Sequence, residues 1–102
     1  MFHFTDEEKK KVREACERHG VDRLDLFGSA TGEGFDEEHS DLDFVVSFAD
    51  HRPSNLFDRY FDLKEDLERI LDREVDVVME GAMKNPHFAK SVNESRVPLY
   101  AA

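Results

Sequence analysis

The chain has 102 residues, a length that allows one small domain with a modest hydrophobic core. Its 24 acidic residues outnumber the 14 Lys and Arg and give a formal net charge of -10 at pH 7. This charge argues against direct contact with nucleic acid, because binding to a phosphate backbone requires basic side chains, and it suits a basic protein partner, although it also keeps a small protein soluble.

Cysteine content and hydropathy bear on location. The single cysteine, Cys16, cannot form an internal disulfide, and no apolar segment approaches the length of a signal or membrane helix. Linkers, repeats and low-complexity segments are absent. We therefore predict one domain over residues 1–102, a cytoplasmic location and no membrane partner.

The first predicted element is a helix that begins after Thr5 and ends before Gly20. Thr5 and Glu8 have the spacing of a capping box, and acidic residues in the first turn complement the helix dipole. The apolar residues that recur at helical spacing are Val12, Ala15 and Cys16. Cys16 lies on this narrow stripe and is predicted to be a small core residue rather than a nucleophile.

The next element is a strand over Arg23–Phe27 that runs into the pair Gly28-Ser29. A glycine at this point lets the backbone approach a ligand closely, and exposed N–H groups beside a serine hydroxyl form a cradle for an anion. A Gly-Ser pair is also a common turn and does not define a site on its own. The pair therefore gains meaning only from its neighbours.

Two carboxylates, Asp41 and Asp43, open the next predicted strand, whose apolar run spans Leu42–Phe48. Asp is disfavoured in strands, so its position here calls for a reason. Alternation along a strand places residues i and i+2 on the same face, roughly 6 to 7 Å apart. Such a pair either lies at a solvated strand end or binds a hard divalent cation, which relieves the repulsion between the charges.

A long amphipathic helix follows, with Ser54 as its N-cap and its end near Leu71. The apolar positions along it step by four and three: Leu56, Tyr60, Leu63, Leu67 and Ile70. This stripe is predicted to cover one face of the sheet. Phe57 and Phe61 fall beside the stripe, and we favour core packing for them over the alternative, a hydrophobic docking patch for a partner.

A third acidic residue, Asp76, interrupts the apolar run Glu74–Met79. If this strand pairs beside the one that carries Asp41 and Asp43, the three carboxylates form one cluster next to the Gly-Ser turn. A phosphate cradle beside carboxylates that hold metal ions is the apparatus of nucleotidyl transfer. The pattern therefore indicates chemistry on a nucleotide.

The chain ends with a short helix that begins at Asn85-Pro86 and with the apolar run Val97–Tyr100. That run packs either on the sheet or on a neighbouring chain, and a sheet of only three strands would favour a short fourth strand or an exposed edge. The order of elements predicts an α/β fold, a small mixed β-sheet covered by helices.

The chain resembles a known superfamily at its Gly-Ser and Asp-x-Asp motifs. Gly28-Ser29, ten further residues and the run Ser40-Asp41-Leu42-Asp43-Phe44-Val45-Val46 are similar to the signature of DNA polymerase beta-like nucleotidyltransferases. The whole chain, including residues 84–88 and 97–102, resembles the minimal nucleotidyltransferases (MNT proteins), which are antitoxins of HEPN-domain toxins. The resemblance implies the nucleotidyltransferase fold.

The resemblance also implies roles for individual residues, with ATP as substrate and Mg²⁺ as cofactor. The nucleotide-binding residues would be Gly28, Ser29 and Ser40, and the metal ligands and catalytic residues would be Asp41, Asp43 and Asp76. Asp76 would hold the ion nearer the attacking group.

Two functions stay open on the sequence. In the first, the chain transfers AMP from ATP to a hydroxyl, and the resemblance implies that the acceptor is a tyrosine of a partner HEPN ribonuclease toxin, within a hetero-oligomer. In the second, the chain neutralises the HEPN toxin by tight binding alone. Ser29 and the three aspartates favour the first function. The loop after Gly28-Ser29 favours the second, because it lacks the basic residue that many relatives carry there.

Overall fold

A computed structural model of the chain describes residues 2–32, 41–49 and 56–102. The helices are α1 (Asp6–Arg18), α2 (Leu56–Leu71) and α3 (Pro86–Ser95), and the strands are β1 (Val21–Phe27), β2 (Leu42–Phe48), β3 (Val75–Met79) and β4 (Val97–Ala101). Short 3₁₀ turns span Gly28–Thr31 and Glu80–Ala82. Every predicted helix and strand is present, with ends that differ by no more than two residues wherever both ends are described. The run Val97–Tyr100, whose packing the sequence left open, lies in the fourth strand. The predicted cap Ser54 lies outside the described residues.

The four strands form one mixed sheet in the order β3-β2-β1-β4. β1 pairs antiparallel with both β2 and β4, whereas β2 and β3 are parallel. The parallel pair is joined through α2, since parallel neighbours need a crossover connection. The predicted α/β architecture with a small mixed sheet covered by helices is confirmed.

The two faces of the sheet carry different helices. The larger core lies between α1, α2 and one sheet face, and its fully buried members include Leu24, Phe44, Leu63 and Leu67. A smaller cluster on the other face joins Phe27 and Val45 to Val92 of α3. Because side chains alternate along a strand, Asp43 and Asp76 point to this second face, which α3 alone covers among the helices that the structure describes. The carboxylates therefore lie on the thinly covered side of the sheet.

The start of α1 confirms the predicted capping box. Thr5 accepts a hydrogen bond from the Glu8 N–H, and the Glu8 side chain accepts one from the Thr5 N–H. Val12, Ala15 and Cys16 are buried as predicted, and burial raises the pKa of the Cys16 thiol to about 12. Cys16 is therefore a core residue. Among the described helices, none combines the length and hydropathy that crossing a membrane requires.

Helix α2 packs through its stripe but does not bury the two adjacent phenylalanines. Leu63 and Leu67 are fully buried, whereas Phe57 is 72% exposed and Phe61 is 47% exposed. The prediction that Phe57 and Phe61 pack in the core is wrong. At 100° per residue, both side chains project roughly a quarter turn or more away from the buried stripe of Leu63 and Leu67.

Candidate active site

The parallel pairing of β2 and β3 brings two of the predicted carboxylates together. Asp43 lies directly across from Asp76 in the register, and their side chains are within hydrogen-bonding reach. On the other side of Asp43, the antiparallel register places Phe27 of β1 opposite it. Neighbours across strands share a face, so Asp76, Asp43 and the end of β1 form one row.

Burial and acidic neighbours both affect the ionisation of the Asp43 carboxyl group. Partial burial raises the pKa of Asp43 above its ordinary value of 3.8, and the charges of Asp76 and then Asp41 raise it further. Asp41 itself is exposed and stands immediately before β2. A carboxylate pair of this kind favours a bound cation, because a positive charge replaces repulsion with attraction.

The turn after β1 places the backbone against the Asp43 carboxylate. Gly28 has φ of +77°, and a Cβ built on it would lie 2.8 Å from Asp43 Oδ2. Residues other than glycine rarely adopt this left-handed backbone conformation, and here a side chain would also collide with the Asp43 carboxylate. Gly28 is therefore required both by the turn and by the close approach of the turn to the acidic pair.

Ser95, at the end of α3, holds the glycine turn. The Gly28 N–H donates to Ser95 Oγ at 2.9 Å, and the Thr31 hydroxyl donates to the Gly28 carbonyl at 2.8 Å. The predicted anion cradle requires exposed N–H groups, and the Gly28 N–H is already paired, whereas Ser29 is the exposed member of the motif. Nothing in the sequence around Ser95 signals this contact, which joins residues 67 positions apart.

A buried ion network fixes the end of α3 behind the turn. Asp25 is fully buried in β1, and it accepts hydrogen bonds from Arg96 Nε at 2.6 Å and from Arg23 Nε at 3.1 Å. The two Nη atoms of Arg96 donate to the Glu80 carboxylate at 2.9 Å each. Hydrogen bonds from Arg96 lower the pKa of Glu80. Because Arg96 follows Ser95 directly, this network positions the Ser95 hydroxyl.

A cleft of about 360 Å³ opens over the carboxylates. Its lining residues come from three strands and two helices: Phe27, Asp43, Tyr60, Asp76, Val77, Val78 and Phe88. The Tyr60 hydroxyl donates to the Val77 carbonyl at 2.6 Å, so Tyr60 is a wall of the cleft and its hydroxyl is engaged. Asp43 and Asp76 are the ionisable carboxylates of this lining.

A larger cleft of about 560 Å³ lies at the opposite end of β2 and β3. Phe48, Leu56 and Met79 line it, and it is mainly apolar. None of the predicted site residues that the structure describes borders this larger cleft, so the smaller cleft over Asp43 and Asp76 is the candidate active site.

The donor set suits a hard divalent cation. Asp43 and Asp76 offer adjacent carboxylate oxygens, which Mg²⁺ prefers, and Asp41 adds a third negative charge nearby. Within residues 2–32, 41–49 and 56–102, no three His, Cys, Asp or Glu side chains already form a ready-made metal cluster. Mg²⁺ commonly keeps waters and takes one or two protein carboxylates together with substrate phosphates, so this pair fits it.

The structure brings together some of the predicted site residues but not all of them. It brings Asp43, Asp76 and Gly28 together, and it leaves Asp41 and Ser29 exposed near them. Ser40 lies outside the described residues. The sequence did not reveal the contribution of Ser95 or the cleft walls formed by Tyr60 and Phe88.

These features define a class of protein. A mixed four-stranded sheet with strand carboxylates beside a Gly-Ser turn is the nucleotidyltransferase fold. A solved structure provisionally assigned as a minimal nucleotidyltransferase matches the chain with a TM-score of 0.71 and 33% identity. The match covers 88% of this chain and 87% of that one. The family model for the nucleotidyltransferase domain matches residues 8–99. The chain therefore belongs to the nucleotidyltransferase domain family.

Two further relatives are informative. The protein adenylyltransferase MntA of Thermococcus cleftensis is 39% identical over 84 residues, which is 82% of this chain and 77% of MntA. The MNT antitoxin complex with the tri-AMPylated HEPN toxin of Shewanella oneidensis contains a chain with 20% identity and a TM-score of 0.64, which covers 93% of this chain and 71% of its own length. This second likeness is one of fold.

Proposed function

We propose that this protein is an antitoxin-type adenylyltransferase that transfers AMP from ATP to a hydroxyl of a cognate HEPN ribonuclease toxin, with a tyrosine as the acceptor. The observation that carries the proposal is the pairing of Asp43 and Asp76 across parallel strands, beside the Gly28 turn and at the base of an open cleft. The protein would be cytoplasmic and would form a hetero-oligomer with its partner.

The relatives support this choice of substrate. The MntA relative is named for protein adenylyl transfer, and the Shewanella antitoxin is bound to a HEPN toxin that carries AMP groups. The present chain matches about four fifths of MntA. We propose protein adenylyl transfer for this chain because of that similarity and because of the geometry of the carboxylates.

The reaction assigns each motif residue a task. Ser29 and the backbone of the Gly28 turn, together with Ser40, orient the triphosphate, and Asp41, Asp43 and Asp76 would hold Mg²⁺ beside it. When bound, Mg²⁺ neutralises the phosphate charge and favours ionisation of the acceptor hydroxyl.

The bond changes are those of a displacement at phosphorus. The acceptor oxygen bonds to the α-phosphorus, the bond from that phosphorus to the bridging oxygen breaks, and pyrophosphate leaves with the electron pair. The hydroxyl proton passes to water. The contribution of the chain is positioning, because little other covalent chemistry is needed.

The test is an intact-mass measurement of a HEPN-domain protein from the same source organism, incubated with this protein, ATP and Mg²⁺. We expect the HEPN protein to gain one or more AMP units. The Asp41→Asn/Asp43→Asn variant should give no addition, and a Tyr-to-Phe change at the modified residue of the HEPN protein should also prevent it. Retained AMP addition by the aspartate variant would contradict the assignment of the carboxylates.

A second candidate function is neutralisation of the toxin by binding alone. Two observations favour it: the Gly28 N–H is already bonded to Ser95, and residues 28–32 of the turn contain no basic side chain. A stable complex with the HEPN protein that forms without any AMP addition would select this function over transfer.

A further inference from the structure

The exposed large apolar side chains within the described residues are three phenylalanines, two on α2 and one on α3. Phe57 is 72% exposed, Phe61 is 47% exposed and Phe88 is 41% exposed. Single exposed apolar residues are ordinary on protein surfaces, but a contiguous aromatic group is typical of a binding surface. Phe57 and Phe61 are in contact with each other, and Phe88 lines the candidate active site.

The contacts connect Phe57 and Phe61 to the cleft. Phe57 and Phe61 pack with ring centroids 4.7 Å apart, and Phe61 packs edge-on against Tyr60 with centroids 5.0 Å apart. Tyr60 lines the cleft and is fixed by its hydrogen bond to the Val77 carbonyl. We call Phe57, Tyr60 and Phe61 the aromatic ridge. It runs from solvent along α2 to the wall of the active-site cleft.

A second aromatic pair marks another wall of the cleft. Phe88 of α3 packs edge-on against Phe27 with centroids 6.1 Å apart, and both residues line the same cleft as Asp43. A partner that contacts both the aromatic ridge and Phe88 would therefore lie across the carboxylates. A partner in this position would bring its acceptor hydroxyl close to the reacting phosphate. Positioning of this kind is the main task of the site.

Charge decides the kind of partner. Asp58 and Asp62 are exposed beside the aromatic ridge on α2, and the whole chain has a net charge of -10. Like charge disfavours nucleic acid, an anionic membrane and a second copy of this chain at this surface. An apolar protein surface with basic residues around it has the complementary charge and shape.

We propose that the aromatic ridge is the docking surface for the protein acceptor, a partner that presents apolar side chains flanked by basic residues and inserts its hydroxyl into the adjoining cleft. This inference rests on the proposed function for the identity of the partner. Aromatic residues, phenylalanine among them, are enriched at the buried cores of protein interfaces, and the exposed phenylalanines of the aromatic ridge supply an apolar anchor of that kind.

The experiment compares binding and transfer with the HEPN-domain protein used above. The Phe57→Ser/Phe61→Ser variant removes the apolar anchor, and the matched control Phe57→Leu/Phe61→Leu retains it. Because both side chains are largely exposed, neither change should lower the melting temperature appreciably. We expect the serine variant to weaken the Kd for the HEPN protein by roughly thirtyfold, the effect of losing an interface hot spot, while the leucine control loses far less.

Additional readouts separate docking from nucleotide binding. The serine variant should raise the KM for the HEPN protein and leave the KM for ATP unchanged. The Asp58→Asn/Asp62→Asn variant should slow association and reduce its dependence on salt. A serine variant with an unchanged Kd and KM for the HEPN protein would overturn the docking surface, as would a loss confined to ATP binding.

The outcomes also distinguish this inference from the proposed function. If the Asp43→Asn variant and the wild-type protein bind the HEPN protein equally, neither transfers AMP, and only the serine variant loses binding, then docking is correct and the enzymatic function is wrong. Normal AMP transfer by the serine variant would mean that the enzymatic function is correct and the docking surface is wrong. Failure of the wild-type protein to bind the HEPN protein would overturn both.

Discussion

Gly28 and Asp43 are in such close approach that the glycine has no room for a side chain. A Cβ at Gly28 would lie 2.8 Å from Asp43 Oδ2, and Gly28 has φ of +77°. The turn and the carboxylate therefore depend on one another: the turn reaches the acidic pair only because the residue there is glycine. This contact ties the Gly-Ser motif to the Asp-x-Asp motif in three dimensions.

Gly28→Ala should disable transfer beyond its effect on folding. The left-handed backbone costs a non-glycine residue about 1 to 2 kcal/mol, and the added methyl group must displace the Asp43 carboxylate from its place beside Asp76. We expect AMP transfer to fall by roughly a hundredfold, as is typical when a positioned group moves by about 1 Å. The measurement is the rate of AMP addition to the HEPN protein, beside a urea unfolding curve.

Gly20→Ala is the matched control for backbone strain. Gly20 has φ of +69°, but the nearest atom to a Cβ there is Arg59 Nη1 at 3.4 Å, the end of a flexible side chain far from the carboxylates. The two alanine variants should lose similar stability, and only Gly28→Ala should lose transfer. Equal loss of transfer in both would show that global destabilisation, not displacement of Asp43, is responsible.

Magnesium should stabilise the protein through the carboxylate pair. Burial and the charges of its acidic neighbours raise the pKa of Asp43, so ionisation of this carboxyl group is less favourable than in water and a bound cation would offset that cost. We expect Mg²⁺ to raise the melting temperature of the wild-type protein but not that of Asp43→Asn. At a concentration about a hundredfold above Kd, the gain in the free energy of unfolding is about 2.7 kcal/mol.

The same pair predicts the behaviour of the Asp43→Asn variant without magnesium. The introduced amide would carry no charge against Asp76 and Asp41, so we expect the melting temperature of the variant to equal or exceed that of the wild-type protein. Thermal unfolding in the presence of a chelator makes this comparison. A variant that unfolds at markedly lower temperature would show that Asp43 has a structural role that its acidic neighbours do not explain.

Local patterns in the sequence were sufficient for the elements. Alternation gave β2 as Leu42–Phe48, and the capping box gave the start of α1, because both features depend on residues a few positions apart. The prediction that Asp43 and Asp76 lie side by side depended on the condition that β2 and β3 are neighbours in the sheet. The sequence indicates strands but does not state their order in the sheet.

Contacts between distant residues were not predictable from local pattern. Ser95 and Gly28 are 67 positions apart, and Arg96 and Asp25 are 71 apart. Helical periodicity reports which face of α3 is apolar, but it does not identify the polar partner of a residue at the end of the helix. The exposure of Phe57 was missed for a related reason: the width of the sheet, which sets how much of α2 is covered, is a property of the whole fold.

Arg96 should contribute much more to stability than Arg23, although both bond to the same carboxylate. Asp25 is fully buried; the Arg96 side chain is 12% exposed and that of Arg23 is 46% exposed. Arg96→Met removes one of the two arginines that pair with the buried Asp25 carboxylate, and the loss of a partner from a buried charge typically costs about 3 to 5 kcal/mol. Arg23→Met removes a partly exposed pair worth about 1 kcal/mol or less.

Chemical denaturation of the two methionine variants tests this difference directly. Because Arg96 also fixes the end of α3 beside Ser95, Arg96→Met should slow AMP transfer at temperatures where it remains folded, whereas Arg23→Met should not. Similar losses of stability in the two variants would mean that solvent reaches Asp25 and that the network is weaker than its burial indicates.

Asp66 joins α1 to α2, and its effect on stability should depend on pH. Asp66 is 8% exposed, and it lies 2.6 Å from His19 Nε2 and bonds to Arg18 and Arg69. Burial raises its pKa, but hydrogen bonds from His19 and Arg69 outweigh burial and lower the pKa below the ordinary 3.8. A carboxyl group whose pKa is lowered on folding stabilises the protein above its unfolded pKa, and that contribution is lost as pH falls through the folded value.

Asp66→Asn should therefore lower the free energy of unfolding by about 1 to 3 kcal/mol near neutral pH, the range for hydrogen bonds to a charged group. The difference between the variant and the wild-type protein should shrink as the pH falls below the ordinary carboxyl pKa of 3.8 and through the lower folded value, since Asp66 becomes protonated in the wild-type protein. Urea unfolding across this range gives the difference, and other carboxyl groups cancel because both proteins share them. A difference that stays constant with pH would mean that Asp66 stabilises the helix pair through its shape rather than its charge.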